Sequence, residues 1–199
     1  MKMSGQAFEN EVLRCLGIRE RDPLDERVID LIRELTLELT SCVNPQWVYG
    51  FWDCSVDLFT VSMEDLVIRS GSLAGHMKGC RRAALMALTL GSKADALVRR
   101  HSLGHMEKAL IAHVVCTAMV EEYCRQVEGE IAPKGGAGKM IKRFSPGYGD
   151  FHISYQKDIL NMLDCGRRIG LAMTEGHMLV PAKSVTAVIG FEFKYGEII

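Results

Sequence analysis

Several things are missing from this 199-residue sequence, and each absence removes a class of function. There is no excess of charge: 24 lysines and arginines stand against 25 aspartates and glutamates, a formal net charge of −1. Such a balance gives no general attraction to nucleic acid or to an anionic membrane surface. The first ten residues, Met1 to Asn10, contain no apolar signal core. The most apolar run, Ala109 to Val120, is bounded by Lys108 and Glu121 and is too short to span a bilayer. A cytoplasmic location is therefore expected. No C-x-x-C pair occurs among Cys15, Cys42, Cys54, Cys80, Cys116, Cys124 and Cys165. That dispersion argues against a disulfide framework, a zinc site or an iron–sulfur site, and most of these thiols read as small buried hydrophobes. Gly-x-Ser-x-Gly and Ser/His/Asp arrangements are also absent, so nothing in the sequence supports a hydrolase. Internal repeats and low-complexity tracts are absent too.

What remains is an ordinary globular composition, 48% hydrophobic and 25% charged. The length suits one domain with a sizeable core, read here as a single unit over 1–199. It divides into a mostly helical front over 1–104 and a mixed back over 105–199. Asp22-Pro23 followed by Asp25-Glu26 reads as a helix start, with Leu24, Val28, Leu31, Ile32, Leu35 and Leu39 recurring at helical spacing to Ser41. Residues 46–61, with Trp47, Tyr49, Phe51, Trp52 and Val56, read as strand. Gly79 to Leu88 reads as helix, Thr89-Leu90-Gly91 as a short strand or turn, and Ser92 as the start of a helix toward His101. The longest helix is expected from His105 to Val127, burying Leu110, Val114, Ala118 and Val120. Glycines and Pro133 mark Glu128 to Lys139 as a loop or hinge. Another helix is expected from Ser154 or Tyr155 to Cys165, with Ile159, Leu160 and Leu163 inward. Arg168–Leu171 and Ser184–Ile189 are expected to pair as strands. The fold class is α+β, an antiparallel sheet with flanking helices.

Some motifs invite functions that their details refuse. Pro133-Lys134-Gly135-Gly136-Ala137-Gly138-Lys139-Met140 resembles a phosphate loop, but proline replaces the first glycine and Met140 stands where a hydroxyl would hold magnesium. His101 and His105 share a helical spacing, but Gly104 interrupts it and no third ligand stands nearby, so they read as helix-end histidines. Asp150-Phe151-His152 echoes the D-x-H-x-x-G signature of corrinoid carriers, with Tyr155 in the glycine position; His152 reads as a surface loop residue.

The segment with chemical promise is Arg143-Phe144-Ser145-Pro146-Gly147-Tyr148. Arg143 offers a permanent forked cation suited to a carboxylate. Pro146-Gly147 makes a turn that lets the backbone approach a ligand, and Tyr148 adds an aromatic ring with a polar tip. On chemistry alone this is a pocket for a small zwitterion with a flat part. Downstream lies Thr174-Glu175-Gly176-His177-Met178-Leu179-Val180-Pro181-Ala182-Lys183-Ser184-Val185.

Together, R-x-x-x-G-Y and T-E-x-x-M-x-x-P-x-x-S-V resemble the reactivation domain at the C-terminal end of cobalamin-dependent methionine synthase. The likeness is good over residues 141–195 and weak before residue 105. It implies a methionine synthase activation domain-like fold and binding of S-adenosylmethionine as methyl donor. It implies further that Arg143 grips the ligand carboxylate, that Phe144 makes contact through its backbone, and that Gly147 and Tyr148 form the Gly-Tyr turn at the ligand. Tyr195, after Lys194, is implied as a second tyrosine lining the site, and Glu175 and Ser184 as supporting residues. A glutamate expected on the long helix aligns with Ala118, with Glu121 and Glu122 one turn later. An acidic residue from the N-terminal part of that domain has no counterpart.

Cobalamin is implied only through a partner, a corrinoid-carrying methyltransferase such as a truncated methionine synthase. A flavodoxin- or ferredoxin-type electron donor would supply the reducing equivalent. Two functions remain open from the sequence: a methyl-donor component in reductive reactivation, with a methyltransferase role only beside its partner, and a non-catalytic adaptor docking on a corrinoid methyltransferase. The apolar stretch 46–61, with Trp47 and Trp52, is either part of such a docking surface or core.

Overall fold

The computed structural model of the protein describes residues 5–18 and 25–193. Two helices open the described chain, α1 (Gln6–Cys15) and α2 (Glu26–Cys42). The α2 N-cap is Asp25, whose carboxylate accepts the Arg27 backbone N–H, satisfying one of the orphan donors of the first turn. Asp22 and Pro23, read as part of that start, lie outside the described residues. Five strands follow: β1 (Gln46–Asp53), β2 (Ser55–Val56), β3 (Thr60–Met63), β4 (Leu66–Arg69) and β5 (Cys80–Thr89), with α3 (Gly71–His76) between the last two. A mostly helical front over 1–104 is thus corrected to two helices, a run of strands and then α4 (Ser92–Ser102).

The strand β5 overturns the helix expected from Gly79 to Leu88. Its residues Ala83 to Thr89 are all buried, because both faces of the sheet are covered. A strand covered on both sides loses polar–apolar alternation, and the alanines, leucines and methionine here are also good helix formers. Two neighbours decide the matter: β5 pairs antiparallel with β1 on one side and with β9 (Ser184–Glu192) on the other. The four-stranded sheet has the order β1-β5-β9-β6, where β6 is only Lys139–Met140. The strands β2, β3 and β4 form a separate three-stranded sheet, and β7 (Ala172–Met173) pairs with β8 (Leu179–Val180). Arg168 and Ile169, expected in a strand, lie in α7 (Cys165–Ile169), and Ser184–Ile189 joins the central sheet instead.

The long helix α5 (Met106–Ile131) connects the halves of the core. Ala112, Val115, Cys116, Ala118 and Met119 pack among α1, α2 and α4. Farther along, Cys124, Val127 and Ile131 lie on the sheet against Ala84, Met86, Leu88, Ala187, Ile189 and Phe191. Leu110, expected to be buried, is 59% exposed, and Val120 is only partly buried. The helix also runs through Glu128 and Gly129, where a loop was expected, before a 3-10 turn at Ala132–Lys134. Gly135 then passes so close to Phe191 that a Cβ would enter the ring, which explains the glycine by packing. The opposite sheet face, with Ala83, Leu85, Ala87 and Val188, packs on α3, on α6 (Gln156–Met162) and on Phe151. The helix expected to continue to Cys165 breaks at Asp164, which is left-handed at φ 51°, and α7 follows. Ile159, Leu160 and Leu163 are buried as expected.

Candidate functional site

The edge of the sheet beyond β9 is finished by a short segment. Lys139 and Met140 pair with Glu192 and Phe191, the Ile141 N–H donates to the Gly190 carbonyl, and Phe144 exchanges backbone hydrogen bonds with Val188, both at 2.8 Å. Extended backbone turns consecutive side chains to opposite faces. Arg143 accordingly reaches toward α5, while Phe144 joins the aromatic group on the other face. The Phe144 ring lies 5.0 Å from His76, 5.9 Å from Tyr148 and 6.3 Å from Phe151.

On α5, Glu121 and Glu128 are seven residues apart, so they share a face at a rise of about 10 Å. The forked guanidinium of Arg143 bridges them. Its Nη2 donates to Glu121 Oε2 at 2.5 Å and its Nη1 to Glu128 Oε1 at 2.8 Å. The Arg143 side chain is 22% exposed, so these bonds are not those of a freely solvated surface pair. Burial works against its charge, but the bonds to Glu128 and Glu121 outweigh that and hold its pKa above the usual arginine range. The buried Cys124 lies close by, its thiol pushed up to about 12 chiefly by burial. Other charges beside the cluster are paired: Arg14 with Glu11 on α1 at 2.7 Å, and Arg125 with Glu122 at 2.5 Å. One cation held by two carboxylates leaves the Arg143 cluster with a formal charge of −1.

The turn after Phe144 is tight. Gly147 has φ 99° and donates its N–H to the Phe151 carbonyl at 2.6 Å, while the Tyr148 N–H donates to Ser145. Tyr148 is 62% exposed, an aromatic ring standing in solvent at the mouth of the turn. Asp150 fixes the turn to α3. Its carboxylate accepts the Ser70 hydroxyl at 2.5 Å and the Gly71 and Ser72 N–H groups at 2.8 and 2.9 Å. These bonds, led by Ser70, hold its pKa well below the usual carboxylate range.

Of the residues singled out in the sequence, Phe144, Gly147 and Tyr148 fall together around this turn, Arg143 precedes it with its side chain turned to the α5 face, and Tyr195 lies outside the described residues. Ala118 is fully buried in the helical core, so it is not the position that meets Arg143. The carboxylates that do are Glu121 and Glu128. Glu128 escaped the sequence reading because Gly129 ended the helix too early; its spacing of seven from Glu121 was the available signal. Glu175 and His177 line a different cavity of about 640 Å³ between α6, α7 and the β7–β8 hairpin, which none of the Arg143 cluster touches. The Ser184 hydroxyl donates to the Pro181 carbonyl, and Asp95 of α4 accepts the Ala182 N–H, anchoring the end of that hairpin. His152 is exposed and its Nδ1 receives the Ser154 N–H. His101 Nε2 meets Glu38 at 3.0 Å at the end of α4. Trp47 and Trp52 are half-buried on opposite faces of β1. No helix of the described residues is long and apolar enough to cross a membrane.

The architecture is that of an α+β domain with an antiparallel sheet flanked by helices. A solved structure similar to it is a crystal structure of the MetH reactivation domain bound to AdoHcy. The two agree with a TM-score of 0.62 at 16% sequence identity, over 96% of this chain and 78% of that one. At that identity the likeness establishes the fold. No family model matches the sequence, and no curated protein matches it.

Proposed function

We infer that the chain binds S-adenosylmethionine at the Arg143 turn and supports reductive methylation of a corrinoid carried by a partner protein. The observation that carries this reading is the charge of the cluster. A ligand with a carboxylate, an ammonium and a sulfonium is net +1 and complements one arginine between two glutamates. In this reading Arg143 takes the carboxylate, Glu128 or Glu121 takes the ammonium, and the Phe144 backbone and Gly147 allow close approach. The fold likeness to a domain bound to AdoHcy supports the same ligand class. S-adenosylmethionine brings an activated methyl group, so the protein's part is to position it and needs no acid or base. Tyr148, standing in solvent beside the turn, would face the corrinoid partner, and a flavodoxin- or ferredoxin-type protein would supply the electron.

The second reading, an adaptor without methyl donation, is favoured by one fact: both forks of Arg143 are already occupied by glutamate. Titration calorimetry separates the two. S-adenosylmethionine binding at micromolar to sub-millimolar strength, weakened about tenfold or more by Arg143→Ala, supports the donor. Absence of heat at millimolar ligand removes that reading for the isolated chain and leaves the adaptor.

A further inference from the structure

The cavity of about 640 Å³ between α6, α7 and the β7–β8 hairpin plays no part in the site at Arg143. Volumes of about 300–1,000 Å³ are those that hold small molecules. Its floor is apolar and continuous with the core: Leu160 and Leu171 are buried, with Met173 packed beside them. Its rim carries charge. Lys157 and Asn161 stand one turn apart on one face of α6, and Glu175 stands across from them on the turn of the hairpin.

The wall of the cavity is held against local preference. Among the described residues only Glu64, Asp164 and His177 are non-glycine residues with left-handed backbone, and two of these line the cavity, Asp164 at φ 51° and His177 at φ 61°. His177 Nδ1 is also shut away from solvent with no hydrogen-bond partner. The core imposes this position. The amide of the buried Gln156 donates to the His177 carbonyl at 3.1 Å and accepts the Thr186 hydroxyl of β9 at 3.4 Å. Strained backbone and unpartnered buried polar atoms persist where their surroundings over-determine them, and they gather at ligand sites.

The charges of the rim decide what fits. Asp164 is already taken, its carboxylate accepting from Arg167 Nε at 2.6 Å. Lys157 and Glu175 have no side-chain hydrogen bond or ion pair among the described residues. One free cation and one free anion above an apolar floor match a molecule with one carboxylate, one ammonium and an apolar body. A phosphorylated ligand would meet a single cation and a carboxylate that repels it, and a purely apolar one would bury both charges unpaired. No group of three or more His, Cys, Asp or Glu side chains among the described residues could hold a metal ion.

We propose that this cavity binds a free α-amino acid with an apolar side chain. Lys157 takes its carboxylate, with Asn161 adding a second bond, Glu175 takes its ammonium, and Leu160, Leu171 and Met173 receive its side chain. The site is separate from the Arg143 turn and does not depend on what that turn binds.

L-Leucine is the probe. Calorimetry on the full chain should give a sub-millimolar Kd. N-acetyl-leucine, which lacks the ammonium, and leucinamide, which lacks the carboxylate, should each bind about tenfold or more weakly. Lys157→Gln and Glu175→Gln, both at exposed positions, should each weaken leucine about tenfold, with melting curves to check that the variants fold. The blocked analogues test the same contacts in the unaltered chain. Backbone amide shifts on adding leucine should fall on residues 157–161 and 171–177, and saturating S-adenosylmethionine should not displace it. Absence of leucine binding at about 20 mM overturns the proposal, as does equal binding of the blocked analogues. Folded variants with wild-type affinity overturn it too, and displacement by S-adenosylmethionine would place leucine at the Arg143 turn instead.

Discussion

Two charged side chains seven residues apart, Arg143 and Asp150, bracket the Gly-Tyr turn, and they are satisfied in opposite ways. Asp150 is surrounded by neutral donors, a hydroxyl and two backbone N–H groups at the start of α3. Its charge is stabilised and no counter-charge is introduced, so it holds the turn against α3 and offers a ligand little. Arg143 is held by two full carboxylates from α5, which leaves an unbalanced negative charge beside a glycine turn and an exposed tyrosine. Neutral satisfaction makes a structural anchor; satisfaction by excess opposite charge leaves a net negative charge.

The comparison breaks most visibly at Arg143. Arg143→Ala should leave Glu121 and Glu128 facing each other, cost about 2 kcal/mol in denaturant unfolding, and weaken S-adenosylmethionine binding about 10- to 100-fold in calorimetry. Wild-type affinity in the variant would remove the cluster from the site. Glu128→Gln, which brings the cluster to neutrality, should lower affinity about fivefold to tenfold while leaving S-adenosylhomocysteine less affected.

Asp150→Asn tests the other anchor, with ligand affinity preserved and stability reduced. The folded carboxyl titrates below its ordinary value, so its contribution is present above about pH 4 and lost as pH falls further. Acid unfolding of Asp150→Asn should therefore show a shallower loss below that point. The smallest effect belongs to a third charged contact. The ammonium of Lys183 donates to His113 Nδ1 at 3.0 Å and to the His113 carbonyl at 3.1 Å, with Asp95 and Cys116 nearby. Burial first, and the Lys183 charge second, lower the His113 pKa. The unfolded chain then binds the extra proton, so stability should fall as pH drops below about 6.5, and His113→Gln should flatten that limb in pH-dependent melting.

How much of this was legible depended on whether a signal was local. The α2 helix could be read from the spacing of Val28, Ile32, Leu35 and Leu39, the start of α4 at Ser92, and the Arg143–Tyr148 turn from its residue types. By contrast, β5 was invisible because Ala83 to Thr89 has neither face polar; only its neighbours β1 and β9 make it a strand. The position expected to carry a glutamate aligns with Ala118, which lies buried in the helical core, while Glu128 sits just before Gly129, a residue that reads as a helix stop although the helix runs on to Ile131.

By itself the sequence determined that the chain is a near-neutral globule of class α+β, with an arginine, a glycine and a tyrosine at one tight turn. Composition and short-range spacing carry those facts, since caps, turns and amphipathic periods act over a few residues. The tertiary structure alone decided which carboxylates meet Arg143 and which strand edge stands open. Both depend on where α5 crosses the sheet and on which strands lie at its borders. Those are long-range packing outcomes, in which Glu121 and Glu128 meet an arginine 22 and 15 residues away only because the sheet edge runs beside the helix.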